Sequence, residues 1–326
     1  MFIADNQGNW LPASKIVHVK EGAFYGFREV DPERDRALAE TPPVVWLPQD
    51  EIGNSPTNPV PLDIEPYTGQ MLHGDVTHGG LKRVFVENIG GTLQGCVFRF
   101  AQGLEAGVNR TIWGPDRALY IGGIGNPGNW SQAGKLHYGF QKLVPTGAVA
   151  FEMLAVRIKA NGVEIEFTKP LRPGDGRRPE DYHVRQWRFV PTPEYGGSNV
   201  DEQVLEIRSV NVSPDRRRVF LEIEGLQAER VVYVRIANPF ISPDDEEMWT
   251  TESWCTVNVL PEERGTPGTS PQPNTLTPEE RAAGWRLLFD GTSTRGWRNT
   301  QARTLDPRWR ALDGELTLLA PGGGDI

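Results

Sequence analysis

Short apolar runs separated by glycine, proline and asparagine turns dominate residues 1–142. The clearest are Lys15–Val19, Phe24–Phe27, Val44–Leu47, Gln70–His73, Lys82–Glu87, Cys96–Phe100, Arg110–Trp113, Ala118–Ile121 and Leu136–Leu143. Arg83-Val84-Phe85-Val86-Glu87 alternates with a period of two, the mark of a strand with one buried face. Strands this short, strung on turns, predict an all-β fold and suit the blades of an incomplete β-propeller better than a doubly wound sheet. Residues 146–260 keep the strands but change their rhythm. Val163–Lys169 alternates and is halted by Pro170, Val210–Val212 runs into a turn, and Arg218–Leu226 and Val231–Ile236 follow. This order predicts a small immunoglobulin-like β-sandwich with an inserted loop at residues 172–200.

Residues 261–277 are rich in proline, glycine, serine and threonine and hold too few apolar side chains to bury, so they read as a linker. A short helix is expected next, with Thr277 as N-cap, Pro278 at its first position, Glu280 closing a capping box and Gly284 ending it.

Charge narrows the partners. The 34 basic and 43 acidic residues give a net charge of −9, so the chain lacks the basic footprint of a nucleic-acid binder. No apolar run approaches the ~18 residues of a membrane span. The first residues are neither basic nor followed by a signal-type apolar stretch, and they read as a strand entered in mid-domain. Cys96 and Cys255 fall in stretches assigned to different domains and are expected to be unpaired core thiols.

Residues 276–326 carry a series of marks: Gly284-Trp285-Arg286-Leu287-Leu288-Phe289-Asp290-Gly291, then Gly296-Trp297-Arg298, Trp309 ahead of Asp313-Gly314-Glu315-Leu316, and Gly322-Gly323-Gly324-Asp325-Ile326. Together they resemble the opening of the 3-keto-disaccharide hydrolase domain, a lectin-like jelly roll. The resemblance covers only the start of that pattern, so 278–326 is expected to be a truncated jelly-roll segment and the chain an internal piece. It implies a bacterial, periplasmic or extracellular parent that hydrolyses 3-keto-glycosides, with this piece inactive alone. A hydrolase needs an acid, a base or a metal ligand, which makes Asp290, Asp313 and Asp325 the candidate catalytic carboxylates. Asp-Gly pairs are equally the chemistry of tight turns.

Residues 1–142 resemble part of the quinone-dependent soluble sugar dehydrogenases. The matching features are Trp46-Leu47-Pro48 and Arg110-Thr111-Ile112-Trp113 ahead of Gly114-Pro115-Asp116-Arg117-Ala118-Leu119-Tyr120-Ile121, with Arg117 where that pattern ends its turn on glycine. The resemblance implies Trp46 and Arg110 as cofactor-facing residues and quinone (PQQ) with calcium as the parent's cofactors.

Two further groups stand out. His73-Gly74-Asp75-Val76-Thr77-His78 concentrates two imidazoles and a carboxylate, so His73, Asp75 and His78 are candidate metal ligands; hydrogen bonding within a glycine-rich loop is the alternative. Asp5-Asn6-Gln7-Gly8-Asn9-Trp10 is echoed by Gly125-Asn126-Pro127-Gly128-Asn129-Trp130. Amides beside an indole can take a sugar's hydroxyls and its C–H face, making Asn6, Trp10, Asn126 and Trp130 candidate carbohydrate contacts; ordinary turns are the competing reading. The functions left standing are a carbohydrate-processing hydrolase, a non-catalytic scaffold that binds carbohydrate or other domains of its parent, and a quinone oxidoreductase.

Overall fold

The all-β character holds along the chain, in a computed structural model that describes residues 1–125, 134–268, 274–276, 281–312 and 314–326. Strands β1 (Phe2–Asp5), β2 (Ser14–His18) and β3 (Val45–Leu47) form one small antiparallel sheet. Next come β4 (Val60–Leu62), β5 (Gln70–Gly74), β6 (Leu81–Ile89) and β7 (Thr92–Ala101), a meander of neighbours. A second meander follows in β8 (Gly107–Trp113), β9 (Leu119–Ile124) and β10 (Tyr138–Leu143).

The chain continues through β11 (Met153–Lys159), β12 (Gly162–Phe167), β13 (Tyr182–Arg188) and β14 (Val200–Val204). Then come β15 (Ile207–Val212), β16 (Arg218–Ile223), β17 (Arg230–Ile236) and β18 (Glu252–Val257). These strands divide between two sheets. One has the order β11-β12-β16-β15; the other, β14-β13-β17-β18, carries on through β7-β6-β5-β4 to make eight strands. None of the sheets closes on itself.

The eight-stranded sheet is the middle layer. Cys96, Phe98, Val232, Val234 and Cys255 face β11, β12 and β16, meeting Val156, Ile165 and Leu221. Val97, Val231, Tyr233 and Trp254 face the other way, toward Ile16, Val45 and Leu47 of β2 and β3. A strand covered on both faces needs apolar side chains at successive positions, which is why Cys96-Val97-Phe98 and Val231-Val232-Tyr233-Val234 are continuous runs. A third core joins Leu62, Leu72 and Leu81 to Val108, Leu119 and Ile121, seating β8–β10 against β4–β6. The backbones come close there: a Cβ at Gly74 would stand 2.8 Å from the Thr57 hydroxyl and closer still to Val108. At the far edge β14 exposes Asp201, Glu202 and Gln203, charges and amides that discourage edge-to-edge pairing.

The boundary drawn from sequence at 142–146 does not separate these layers, because β7 and β18 pair antiparallel within one sheet. Cys96 lies directly opposite Cys255, and the two form a disulfide. The expectation of separate thiols is therefore corrected: the return of β18 to β7 brings together cysteines 159 positions apart. Beside this joint Arg83 is fully buried and donates to the Leu154 carbonyl at 2.7 Å and the Gln70 side chain at 2.5 Å. Its guanidinium sits 4.9 Å from the Tyr67 ring centre, 4.5 Å from that of Phe98 and 3.8 Å from the buried Glu152 carboxylate.

The β8–β9 turn runs from Gly114 to Ala118, with the Arg117 amide donating to the Gly114 carbonyl at 3.0 Å. Arg117 has φ +61°, a left-handed conformation that is unfavourable for a side-chain-bearing residue. Arg117→Gly should raise stability by about 1 kcal/mol, read as a higher urea midpoint at unchanged slope.

In the C-terminal segment β19 (Trp309–Leu312) and β20 (Glu315–Leu318) form a two-stranded sheet. Gly284 has φ +86°, a helix-stopping conformation. The expected N-cap and capping box at 277–280 lie outside the described residues.

Candidate functional site

The densest polar group, on the loop from β5 to β6, is closed. Asp75 is fully buried, and four backbone amides reach its carboxylate. One oxygen accepts from Asn54 at 2.8 Å and Ser55 at 3.1 Å; the other accepts from Thr77 at 3.0 Å and His78 at 2.7 Å. Four donors fill the acceptor capacity of a carboxylate, so Asp75 ties the segment after β3 to the β5–β6 loop. An amide would present its NH2 to some of these donors. Asp75→Asn should therefore cost about 2–3 kcal/mol, measured by denaturant unfolding; an unchanged midpoint would refute the role.

His73 is also fully buried, with Nδ1 2.9 Å from the Gly74 carbonyl oxygen and Nε2 without a hydrogen-bond partner. Burial lowers its pKa to about 4, an effect reinforced by the Lys82 charge and partly opposed by the Gly74 carbonyl and Asp75. Burial likewise lowers His78 to about 4 and Lys82 to about 8, and the Lys82 ammonium donates to the Gly79 carbonyl. The fold thus holds the His73 ring neutral. Above pH 6.5 both folded and unfolded chains leave it neutral, so no penalty arises. As pH falls from 6.5 toward 4 the unfolded chain gains the proton first, and stability is lost. His73→Gln should flatten the slope of stability against pH across that window, as read from urea midpoints.

Among the described residues no group of three or more His, Cys, Asp and Glu side chains is arranged to hold a metal ion. His73 lies in β5 while Asp75 and His78 lie in the loop that follows, and the carboxylate is saturated by backbone.

The other sequence candidates are scattered. Trp46, in β3, packs its ring 5.2 Å from that of Phe189 with Lys15 Nζ 5.3 Å from its centre, and its amide donates to Thr256. Arg110 lies exposed on β8 and donates to the Asn109 carbonyl at 2.8 Å. Trp46 belongs to the core between β1–β3 and the eight-stranded sheet, whereas Arg110 is on the solvent side of a different sheet. This arrangement does not fit a quinone gripped between them, with or without calcium. Asn6 is exposed. Trp10 is half-buried at φ +65°, donates its amide to Thr192 at 2.8 Å and has the Arg28 guanidinium 6.0 Å from its ring centre. Asn126, Trp130 and Asp313 lie outside the described residues.

Asp290 is exposed and accepts from the Thr292 and Ser293 amides at 2.8 and 2.6 Å; these bonds hold its pKa well below the usual carboxylate range. It shapes a turn. Asp325 is exposed, and its carbonyl accepts from the Thr300 amide at 2.9 Å.

A group missed from sequence is more extensive than any of these. Glu51, on the segment after β3, accepts from the Trp254 indole and from Arg185, each at 2.7 Å. Arg185 also reaches Glu202 at 2.6 Å while its guanidinium lies 4.5 Å from the Trp187 ring centre and 4.8 Å from that of Tyr233. Arg99 pairs with Glu252 at 3.0 Å, donates to the Glu51 carbonyl at 2.7 Å and lies 5.4 Å from the Trp254 ring centre. The Tyr233 hydroxyl donates to Glu252. This half-buried lattice joins β7, β13, β17 and β18, and its carboxylates are taken up by the protein's own donors. Its chemistry is anchoring. The one readable signal was Arg185 two places before Trp187, a spacing that puts cation and ring on the same strand face.

No family model, curated protein or solved structure matches this chain.

Proposed function

We propose that this chain is part of a carbohydrate-processing protein whose C-terminal domain hydrolyses 3-keto-glycosides, with the preceding β-rich body binding or presenting the sugar. The observation that carries this reading is the motif series across residues 284–326. Local geometry is consistent with it: the paired strands Trp309–Leu312 and Glu315–Leu318 fall on the Trp309 to Leu316 mark, and Asp290 organises the turn of the Phe289-Asp290-Gly291 mark. The finer architecture has support in strand order. β11-β12-β16-β15 facing β14-β13-β17-β18 matches the arrangement of an immunoglobulin-like sandwich, and the β4–β7 and β8–β10 meanders match the strand order of propeller blades. A buried disulfide suits the oxidising periplasm or exterior.

Incubating the complete gene product with a methyl 3-keto-glucoside should release free 3-keto-glucose, detected by chromatography. Failure to release it would leave the second reading, a non-catalytic scaffold. That alternative is favoured by the engagement of Asp75 and Asp290 with backbone donors.

A further inference from the structure

Beyond Leu260, which still packs on the core, the chain enters the stretch that reads as a linker. Residues 263–268 are nevertheless held against the outer face of β12, β16 and β15. The Ala160 amide donates to the Glu263 carbonyl at 2.8 Å. Asn161, in the turn from β11 to β12, engages Gly265 twice: its Oδ1 accepts from the Gly265 amide at 2.8 Å and its Nδ2 donates to the Gly265 carbonyl at 3.2 Å. Asn211 Nδ2 donates to the Thr266 carbonyl at 2.9 Å, and the Gly268 amide donates to Ser209 Oγ at 3.1 Å. Lys159 pairs with Glu263 at 2.6 Å.

Phe220 lies at the middle of this face, flanked in register by Glu164 and Asn211, and is only 4 % exposed. Gly265 is what covers it. A Cβ at Gly265 would collide with the Phe220 ring, and one at Gly268 would collide with the Val210 carbonyl. Neither glycine has a positive φ, so both supply close approach rather than a turn. Glu262, Glu263, Arg264, Thr266 and Pro267 are exposed. The segment is therefore read through its main chain and through two positions, three apart, that tolerate no side chain. A plain spacer has no use for either feature, whereas main-chain hydrogen bonds with side-chain selection at set positions are how proteins capture extended peptides. Each such bond is worth little net of water, so the segment can lift while the sheets beneath stay folded.

We propose that this face is a peptide-recognition site for extended segments of the pattern Gly-x-x-Gly, filled in cis by residues 263–268 and able to take the same segment in trans once its own is displaced. The proposal stands on this geometry and is independent of the hydrolase reading.

The exposed Arg264 puts a trypsin site inside the segment. Cleavage after Arg264 in the folded 326-residue chain, followed by peptide mass spectrometry, should be at least about tenfold slower than in Asn161→Ala or Gly268→Val, because proteolysis tracks the lifted population. Cleavage after Arg235, inside β17, should be equally slow in all three, which separates release of the segment from unfolding. Saturation-transfer NMR with a free peptide spanning residues 261–268 supplies the second measurement. Gly268→Val should transfer saturation to the peptide, and the wild type should do so at least about tenfold less, since a tethered segment outcompetes a free one. Combining Gly268→Val with Asn161→Ala should abolish the transfer, as should a peptide with valine in place of Gly265. Equal cleavage rates after Arg264 in the wild type and both variants would overturn the proposal, leaving a segment held no better than a spacer. Slow wild-type cleavage without peptide capture by Gly268→Val would overturn it too, reducing the contact to internal packing.

Discussion

Replacing Cys96 and Cys255 together by alanine should lower the unfolding free energy by roughly 5 kcal/mol, the loop-entropy value for so long a closed loop. The bridge spans 159 positions, so its removal releases much of the unfolded chain from constraint. Since whole domains are stable by only about 5–15 kcal/mol, the variant should be unfolded or nearly so at 37 °C. Urea titrations of the oxidised wild type and the double variant give the measurement, and coincident midpoints would remove the disulfide from the account. Both cysteines are at most 1 % exposed. Dithiothreitol should therefore act on the folded protein only as fast as the sheet opens, and the reduction rate should rise with urea.

Arg83→Met should destabilise the protein by about 3–5 kcal/mol, because it leaves the Glu152 carboxylate buried without its cation. Arg83 and Glu152 are 0 % and 1 % exposed. Burial already raises the Glu152 pKa, while Arg83 and the Tyr67 hydroxyl oppose that rise. With the guanidinium gone, the folded pKa should rise further, so the folded state holds a proton that the unfolded chain releases. The defect should be small at pH values where both states are protonated and should grow as pH rises through the carboxylate range. The double variant Arg83→Met with Glu152→Gln should recover much of the loss, since it removes both buried charges. A double-mutant cycle in urea supplies the coupling energy; purely additive losses would show that the pair does not interact.

What could be read from sequence follows the physics of each strand. β6, β12, β16 and β17 were legible from alternation or apolar runs bounded by turn residues. Phe24–Phe27 looked the same but forms no strand. Instead the Tyr25 hydroxyl donates to the His18 carbonyl at 2.8 Å, and Arg28 covers the Phe24 ring at 4.8 Å, so the aromatics are packed by side-chain contacts rather than by a ladder. β13 and β18 were not singled out, because arginine, serine and threonine interrupt their apolar positions. Missing β18 also hid the disulfide, since nothing local to Cys255 announces β7 as its neighbour. The same limit applies at Asp75. The crowding of polar residues there was visible, but two of its four donors, Asn54 and Ser55, come from an earlier loop that only tertiary folding brings near. Arg117, flagged as a departure from a glycine pattern, has the left-handed backbone that the glycine would have relieved.

The seam between β7 and β18 has a temporal side. During translation β7 leaves the ribosome long before β18 has been made, and in the interval one flank of the growing sheet offers its amides and carbonyls to any strand that drifts past. Pairings between distant segments form slowly, and half-finished sheets of this kind invite mispairing and clumping. Residues 102–251 must be synthesised, and in part folded, before the gap can close. A nascent chain stalled ahead of Glu252 should therefore need a chaperone to stay in solution, and one stalled well past Val257 should not.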